Sequence, residues 1–269
     1  MPFGRHGPAN WADRIPARRN ETMYFEIPGS NLRVLGAMHM VPAGTQAAPP
    51  WALQAYDWCE ALVHEHSNDD AAWMVRADRP LSSVLGSETW HAIEAAIAND
   101  RRRAILDGLR PWAAAMHLTV WAQQLELGVE STFLQRLADD GKSLAVLETV
   151  ADVRAAFDSV PLPEIEKVMA ACLRDIPTAQ ERLLRLHAAW LAGDRAAMHA
   201  AAVDSPIGAS AAMWEAGIAR RNRAWGLRLQ PLLATSQRTL VMVGALHLCG
   251  PGSLEACLGV SFRRVPELD

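Results

Sequence analysis

Val34-Leu35-Gly36-Ala37-Met38-His39 and Met242-Val243-Gly244-Ala245-Leu246-His247 carry one pattern twice. Each is an apolar run followed by Gly-Ala-x-His, and 208 positions separate the two histidines. Short apolar runs rich in branched side chains read as buried strands. Open α/β sheets bind ligands beyond the carboxyl ends of their strands. Glycine at such an end lets a second group approach the backbone closely. Two strand–Gly-Ala-x-His units near opposite ends of the chain therefore point to one site assembled from both.

The intervening sequence fits an α/β reading. Met23-Tyr24-Phe25-Glu26-Ile27 is a short strand and Pro28-Gly29-Ser30-Asn31 is turn chemistry, so residues 23–39 should form a hairpin. Pro49-Pro50 opens a helix over 51–60, where proline suits the first turn. Ala61-Leu62-Val63 is a buried strand that runs into His64-Glu65-His66. Residues 79–139 turn helical, with Trp90, Ile93 and Ile97 on one face and Trp112, Met116, Val120 and Trp121 on another. Ser143 to Leu147 is strand-like again and ends at Glu148.

From 151 to 234 the pattern is helical almost throughout. Ile165, Val168, Met169, Cys172 and Leu173 form a core-facing stripe. A strand over 239–246, a Gly-Pro-Gly loop, a short helix over 253–258 and a terminal strand near 260–265 close the chain. The expected architecture is a central mixed, mostly parallel sheet with flanking helices and a large helical cap insertion over 79–234. Residues 1–21 read as a flexible arm and 22–269 as a single domain.

Composition narrows the function classes. Half of the 269 residues are apolar and 21% are charged, so a sizeable core forms. A net charge of −4 argues against nucleic acid and anionic membranes as general partners. Arg18-Arg19, Arg101-Arg102-Arg103 and Arg220-Arg221 read as solvated local patches. Cys59, Cys172, Cys249 and Cys257 have no Cys-x-x-Cys spacing, so we expect reduced core thiols. No apolar window is long enough for a membrane span or a signal peptide, and a cytoplasmic location is expected. The tryptophans, Trp73 and Trp214 among them, fall mostly at core spacing.

The predicted internal strands end at His39, Glu65, Glu148 and His247. Two imidazoles and two carboxylates are ordinary ligands for Zn²⁺, Mn²⁺ or Co²⁺. A divalent ion there would lower the pKa of bound water toward ~7. We expect His39 and His247 as ligands, joined by Glu65 or Glu148, with the carboxylate left over as the base. Arg221, mid-helix between Ile218 and Trp225, is expected to clamp an oxyanion or a carboxylate. His64 and His66 share a strand face opposite Glu65 and read as exposed. Phosphate-binding loops, Gly-x-Ser-x-Gly and His-Glu-x-x-His do not occur.

The motif order resembles the TraB/GumN family, which includes the Tiki-type Wnt-inactivating metalloproteases. The landmarks are Gly36-Ala37-Met38-His39, the strand ending at Glu65, Arg110-Pro111-Trp112, Gly128-Val129-Glu130, Gly141-Lys142 and Leu147-Glu148-Thr149. Arg221-Asn222 and Gly244-Ala245-Leu246-His247 with Gly250-Pro251-Gly252 complete the series. Ala37 stands where the family commonly has threonine. The resemblance implies a divalent-metal-dependent, peptidase-like hydrolase with both histidines essential, completed by a glutamate and Arg221. Distant likeness to erythromycin-esterase and ChaN-type folds leaves two alternatives open. One is a metal-free esterase or lactonase with a histidine base; the other is a non-catalytic module that binds a peptide, haem or metal. The expected partner is a peptide or a small amide or ester substrate.

Overall fold

The computed structural model describes residues 21–67, 72 and 75–267. Nearly all of the expected arm, and Trp73, lie outside the described residues. The strands are β1 Tyr24–Glu26, β2 Leu32–Ala37, β3 Met40–Pro42, β4 Ala61–His64, β5 Leu125–Leu127, β6 Ser143–Val146, β7 Thr239–Gly244 and β8 Arg263–Arg264. Six of them form one sheet in the order β6-β4-β7-β2-β1-β8. Strands β6, β4, β7 and β2 run parallel. The edge formed by β1 and β8 is antiparallel.

Burial explains why the inner strands read as unbroken apolar runs. All six residues of β7 and all four of β4 are buried, as expected for parallel strands covered on both faces. The two repeated motifs lie side by side, with Gly36 opposite Val243 and Ala37 opposite Gly244. Their copies are therefore out of step by one residue across the ladder. The hairpin over 23–39 is present, with Tyr24 opposite Leu35.

Two expectations change at their boundaries, and one ribbon is new. β7 stops at Gly244, and Ala245–Leu248 form a 3₁₀ turn, so His247 rides on the turn rather than on the strand. The terminal strand shrinks to Arg263–Arg264. Strands β3 and β5 pair as a separate ribbon that the sequence did not reveal. Three residues each are too few for a period-2 signal.

The helices are α1 Pro50–Trp58, α2 Ser87–Ala96, α3 Asp100–Asp107, α4 Pro111–Val120, α5 Val129–Asp140, α6 Val150–Asp158, α7 Leu162–Asp175 and α8 Ala179–Leu191. There follow α9 Arg195–Val203, α10 Ala211–Trp214, α11 Arg220–Leu229 and α12 Leu254–Leu258. A π-helical turn, Glu215–Ala219, joins α10 to α11.

Two apolar cores result. One surrounds the sheet and takes in Trp51, Phe133, Trp190 and Trp225. The other lies among the helices and includes Ile93, Trp112, Phe157, Ile165 and Val168. The stripe expected on α7 faces this second core, and Trp112 stacks on Phe157 at 4.8 Å. The four cysteines are free thiols, three of them buried. Among the described residues, no helix is long and apolar enough to cross a membrane.

Candidate functional site

Because four neighbouring strands are parallel, their carboxyl ends open on one side of the sheet. Glu148 follows β6, Glu65 follows β4, His247 follows β7 and His39 follows β2. The four strand-end residues chosen from sequence thus stand in a row in that spatial order. Gly244 marks where the row converges. A Cβ built on it would lie 3.0 Å from His39 Nε2, 3.3 Å from Glu65 Oε1 and 3.6 Å from His247 Cδ2. Glycine keeps that gap open.

Local chemistry fixes each member. The Thr149–Asp152 capping box starts α6, which leaves Glu148 just ahead of the helix and not as its cap. The backbone N–H groups of Leu147 and Glu148 donate to the carbonyls of His64 and Glu65, joining the ends of β6 and β4. Gly128 N–H donates to the His39 carbonyl at 2.8 Å. A Cβ on Gly128 would lie 1.9 Å from the Met38 carbonyl oxygen, so only glycine allows this approach.

His247 is pinned in one tautomer. Asn222 Nδ2 donates to the carbonyls of His247 and Gly252, which leaves Asn222 Oδ1 as an acceptor 2.7 Å from His247 Nδ1. Nδ1 therefore carries the proton and Nε2 keeps its lone pair. Burial is the main force that holds this imidazole neutral, lowering its pKa to about 3.

His39 has the opposite setting. Its side chain is 54% exposed, and Nδ1 lies 2.7 Å from Glu130 Oε1. Close packing in the cleft disfavours its charge, but the Glu130 carboxylate, with help from Glu65, raises its pKa to about 9. His64, read from sequence as exposed, is buried instead. It ends a central strand, where neighbouring elements cover both faces. Its Nδ1 donates to the His66 carbonyl at 2.8 Å, and Nε2 lies 3.2 Å from Glu130 Oε1. Glu130 thus sits between two imidazoles. In sequence Glu130 stood out only as part of the Gly128-Val129-Glu130 landmark, with no role attached, so its contact with the two histidines was not legible.

Arg221 joins the two acidic strand ends. Nε and Nη2 donate to Glu148 Oε1 at 2.7 and 2.5 Å, and Nη2 also reaches Glu65 Oε2 at 2.7 Å. Nη1 donates to the Gly217 carbonyl, in the π-helical turn, at 3.1 Å. Of the five guanidinium protons, four have close acceptors. The fifth, on Nη1, makes a long 3.4 Å contact with His247 Nε2. A free clamp, as expected from sequence, would have its fork open; here one N–H faces the gap. Burial disfavours ionisation of Glu65, yet His247, Arg221, His39 and the Gly244 N–H together hold its carboxyl well below the usual range.

The donor set suits a borderline divalent ion in chemistry. Both histidines have Nδ1 anchored by a side-chain oxygen, as metal-ligating imidazoles commonly do; His39 turns Nε2 toward the Gly244 gap, whereas His247 turns its Cδ2 edge there. Glu65 Oε1 lies 3.8 Å from His247 Nε2. Among the described residues, no group of three His, Cys, Asp or Glu side chains is already placed to hold a metal ion, so a divalent ion would have to draw the side chains around the gap together. The gap opens into a cavity of about 400 Å³ walled by α4, α8, α9 and the α10–α11 segment.

The sequence profile of the TraB/PrgY/gumN family matches residues 25–259. The chain belongs to that family. Comparison with curated proteins and with solved structures returned no match. Several TraB/PrgY/gumN landmarks serve the scaffold. Lys142 Nζ donates to the carbonyls of Tyr56 and Cys59 at the end of α1. Arg110 and Trp112 Nε1 both bond Asp158, tying α4 to α6. The two Gly-x-x-His elements, Glu65, Gly128-Val129-Glu130, Glu148 and Arg221-Asn222 are the landmarks that gather at the gap.

Proposed function

We propose that this TraB/PrgY/gumN protein is a divalent-metal-dependent hydrolase of a peptide or other amide bond. One observation carries the reading: His39 Nε2, Glu65 Oε1 and the His247 ring all lie within 3.6 Å of the position a Gly244 side chain would occupy. Mn²⁺, Co²⁺ or Zn²⁺ would be held by His39, His247 and Glu65, and when bound would supply an ionised water at neutral pH. Glu130 and Asn222 hold the two imidazoles through Nδ1. Glu148 and Glu65 hold Arg221 so that its remaining Nη1–H is available to a developing oxyanion. The strongly acidic Glu65 suits anchoring better than proton abstraction, which leaves Glu148 as the nearer candidate to orient water.

Elemental analysis and ion titration of the purified protein and of His39→Ala and His247→Ala test this. The native protein should bind one or two divalent ions, and each variant should lose both binding and turnover. Equal metal content in all three proteins would overturn the assignment. Activity that survives exhaustive chelation would favour the metal-free esterase instead.

A further inference from the structure

Beyond the histidines, the cavity changes character. Five methionines (Met38, Met40, Met116, Met198 and Met213) and Trp214 are among its walls. The polar residues that also line it already donate elsewhere. Thr119 Oγ1 donates to the Met116 carbonyl, Ser205 Oγ to the Ala202 carbonyl and Gln123 Nε2 to the Ala179 carbonyl. The two lining arginines are paired as well, Arg182 with Asp175 and Arg221 with Glu65 and Glu148. Buried peptide groups left without partners cost on the order of 1–3 kcal/mol each, so the several carbonyls of a peptide main chain find few side-chain donors on these walls. Flexible thioether side chains adapt to the shape of an apolar occupant.

We infer that the cavity receives an unbranched aliphatic acyl chain, with its carbonyl at the His39–His247 end. The substrate class is then a neutral N-acyl amide or acyl ester. At roughly 30 Å³ per small group, close to the share of one water in the liquid, the cavity of about 400 Å³ holds on the order of ten methylenes. In the reaction, water oxygen bonds to the acyl carbon and the C–N or C–O bond breaks. The fatty acid departs as the carboxylate, and the amine or alcohol takes up a proton. The position of the carbonyl rests on the hydrolase reading; chain binding does not.

The two are separated by measuring binding of neutral N-methyl alkanamides of rising chain length to the full chain, by calorimetry and tryptophan fluorescence. Affinity should rise about fourfold per methylene and level off near ten carbons. Ala201→Phe and, as a second variant, Leu186→Trp, both on cavity walls, should move the levelling point to shorter chains. Affinity independent of chain length, a levelling point unmoved in folded variants, or tighter binding of an apolar peptide amide of equal apolar area would each overturn the inference. Chain-length-dependent binding without hydrolysis under any divalent ion would sustain the acyl cavity and defeat the hydrolase. Hydrolysis indifferent to acyl length would do the reverse.

Discussion

His39 and His247 end the same Gly-Ala-x-His motif on adjacent parallel strands, yet their surroundings oppose each other. His247 is buried, locked in one tautomer by Asn222 and flanked by the Trp225 ring at 4.4 Å. His39 faces the cleft and leans on a carboxylate, Glu130. A repeated motif fixes where two rings converge, whereas the neighbours fix their charge and freedom. Arg221 stands on the buried side of this divide, and Glu130 on the open side.

The largest expected effect breaks the buried side. Arg221→Met leaves Glu65 and Glu148 without their shared cation, and removing one partner of a buried ion pair costs about 3–5 kcal/mol. Urea unfolding should show that loss at pH 7, and a loss below about 1 kcal/mol would mean that the carboxylates find water instead. Asn222→Ala comes next. It removes the donor to two carbonyls and the acceptor of His247 Nδ1, at about 1–3 kcal/mol. Its ring ¹⁵N shifts should also depart from the Nδ1–H pattern expected of the native protein.

His187 supplies a third case: a buried histidine whose ring nitrogens have no hydrogen-bond partner among the described residues. Burial alone lowers its pKa to about 4. The unfolded chain takes up a proton below pH 6.5, and the folded protein does not until about 4. Its stabilising contribution is therefore complete above 6.5 and is lost as pH falls across that window, by at most about 1.4 kcal/mol per pH unit. His187→Leu should flatten this slope between pH 6.5 and 4.5. An unchanged slope would assign the pH dependence to other groups.

The smallest effect on folding falls on the open side. Glu130→Gln keeps a hydrogen-bonding carbonyl between half-exposed His39 and buried His64, so stability should fall by only about 1 kcal/mol. Under the metal reading, divalent-ion affinity should nevertheless fall ~10–100-fold through loss of outer-sphere support. Native affinity in Glu130→Gln would leave His39 oriented by its backbone alone.

Much of this was legible in order along the chain. The apolar runs ending at His39, Glu65, Glu148 and His247 are local signals, since a strand buried on both faces has to be apolar and its polar terminus stands out. The α7 stripe and the proline that opens α1 are local for the same reason. β3 and β5 escaped because three residues carry no period. Glu130 was visible within Gly128-Val129-Glu130, but its meeting with His39 and His64 was not, because those partners are remote in the chain; His64 escaped because alternation alone cannot tell a covered strand from an edge.

By itself, then, the sequence determined which side chains end strands and where glycine leaves room. Tertiary structure alone decided that the strands are neighbours in the order β6-β4-β7-β2, that Arg221 lies between two acids, and that one histidine meets a carboxylate and the other an amide. The reason is physical. Strand propensity and capping act over a few residues, whereas charge state depends on burial and on partners that come from 25 to 156 residues away.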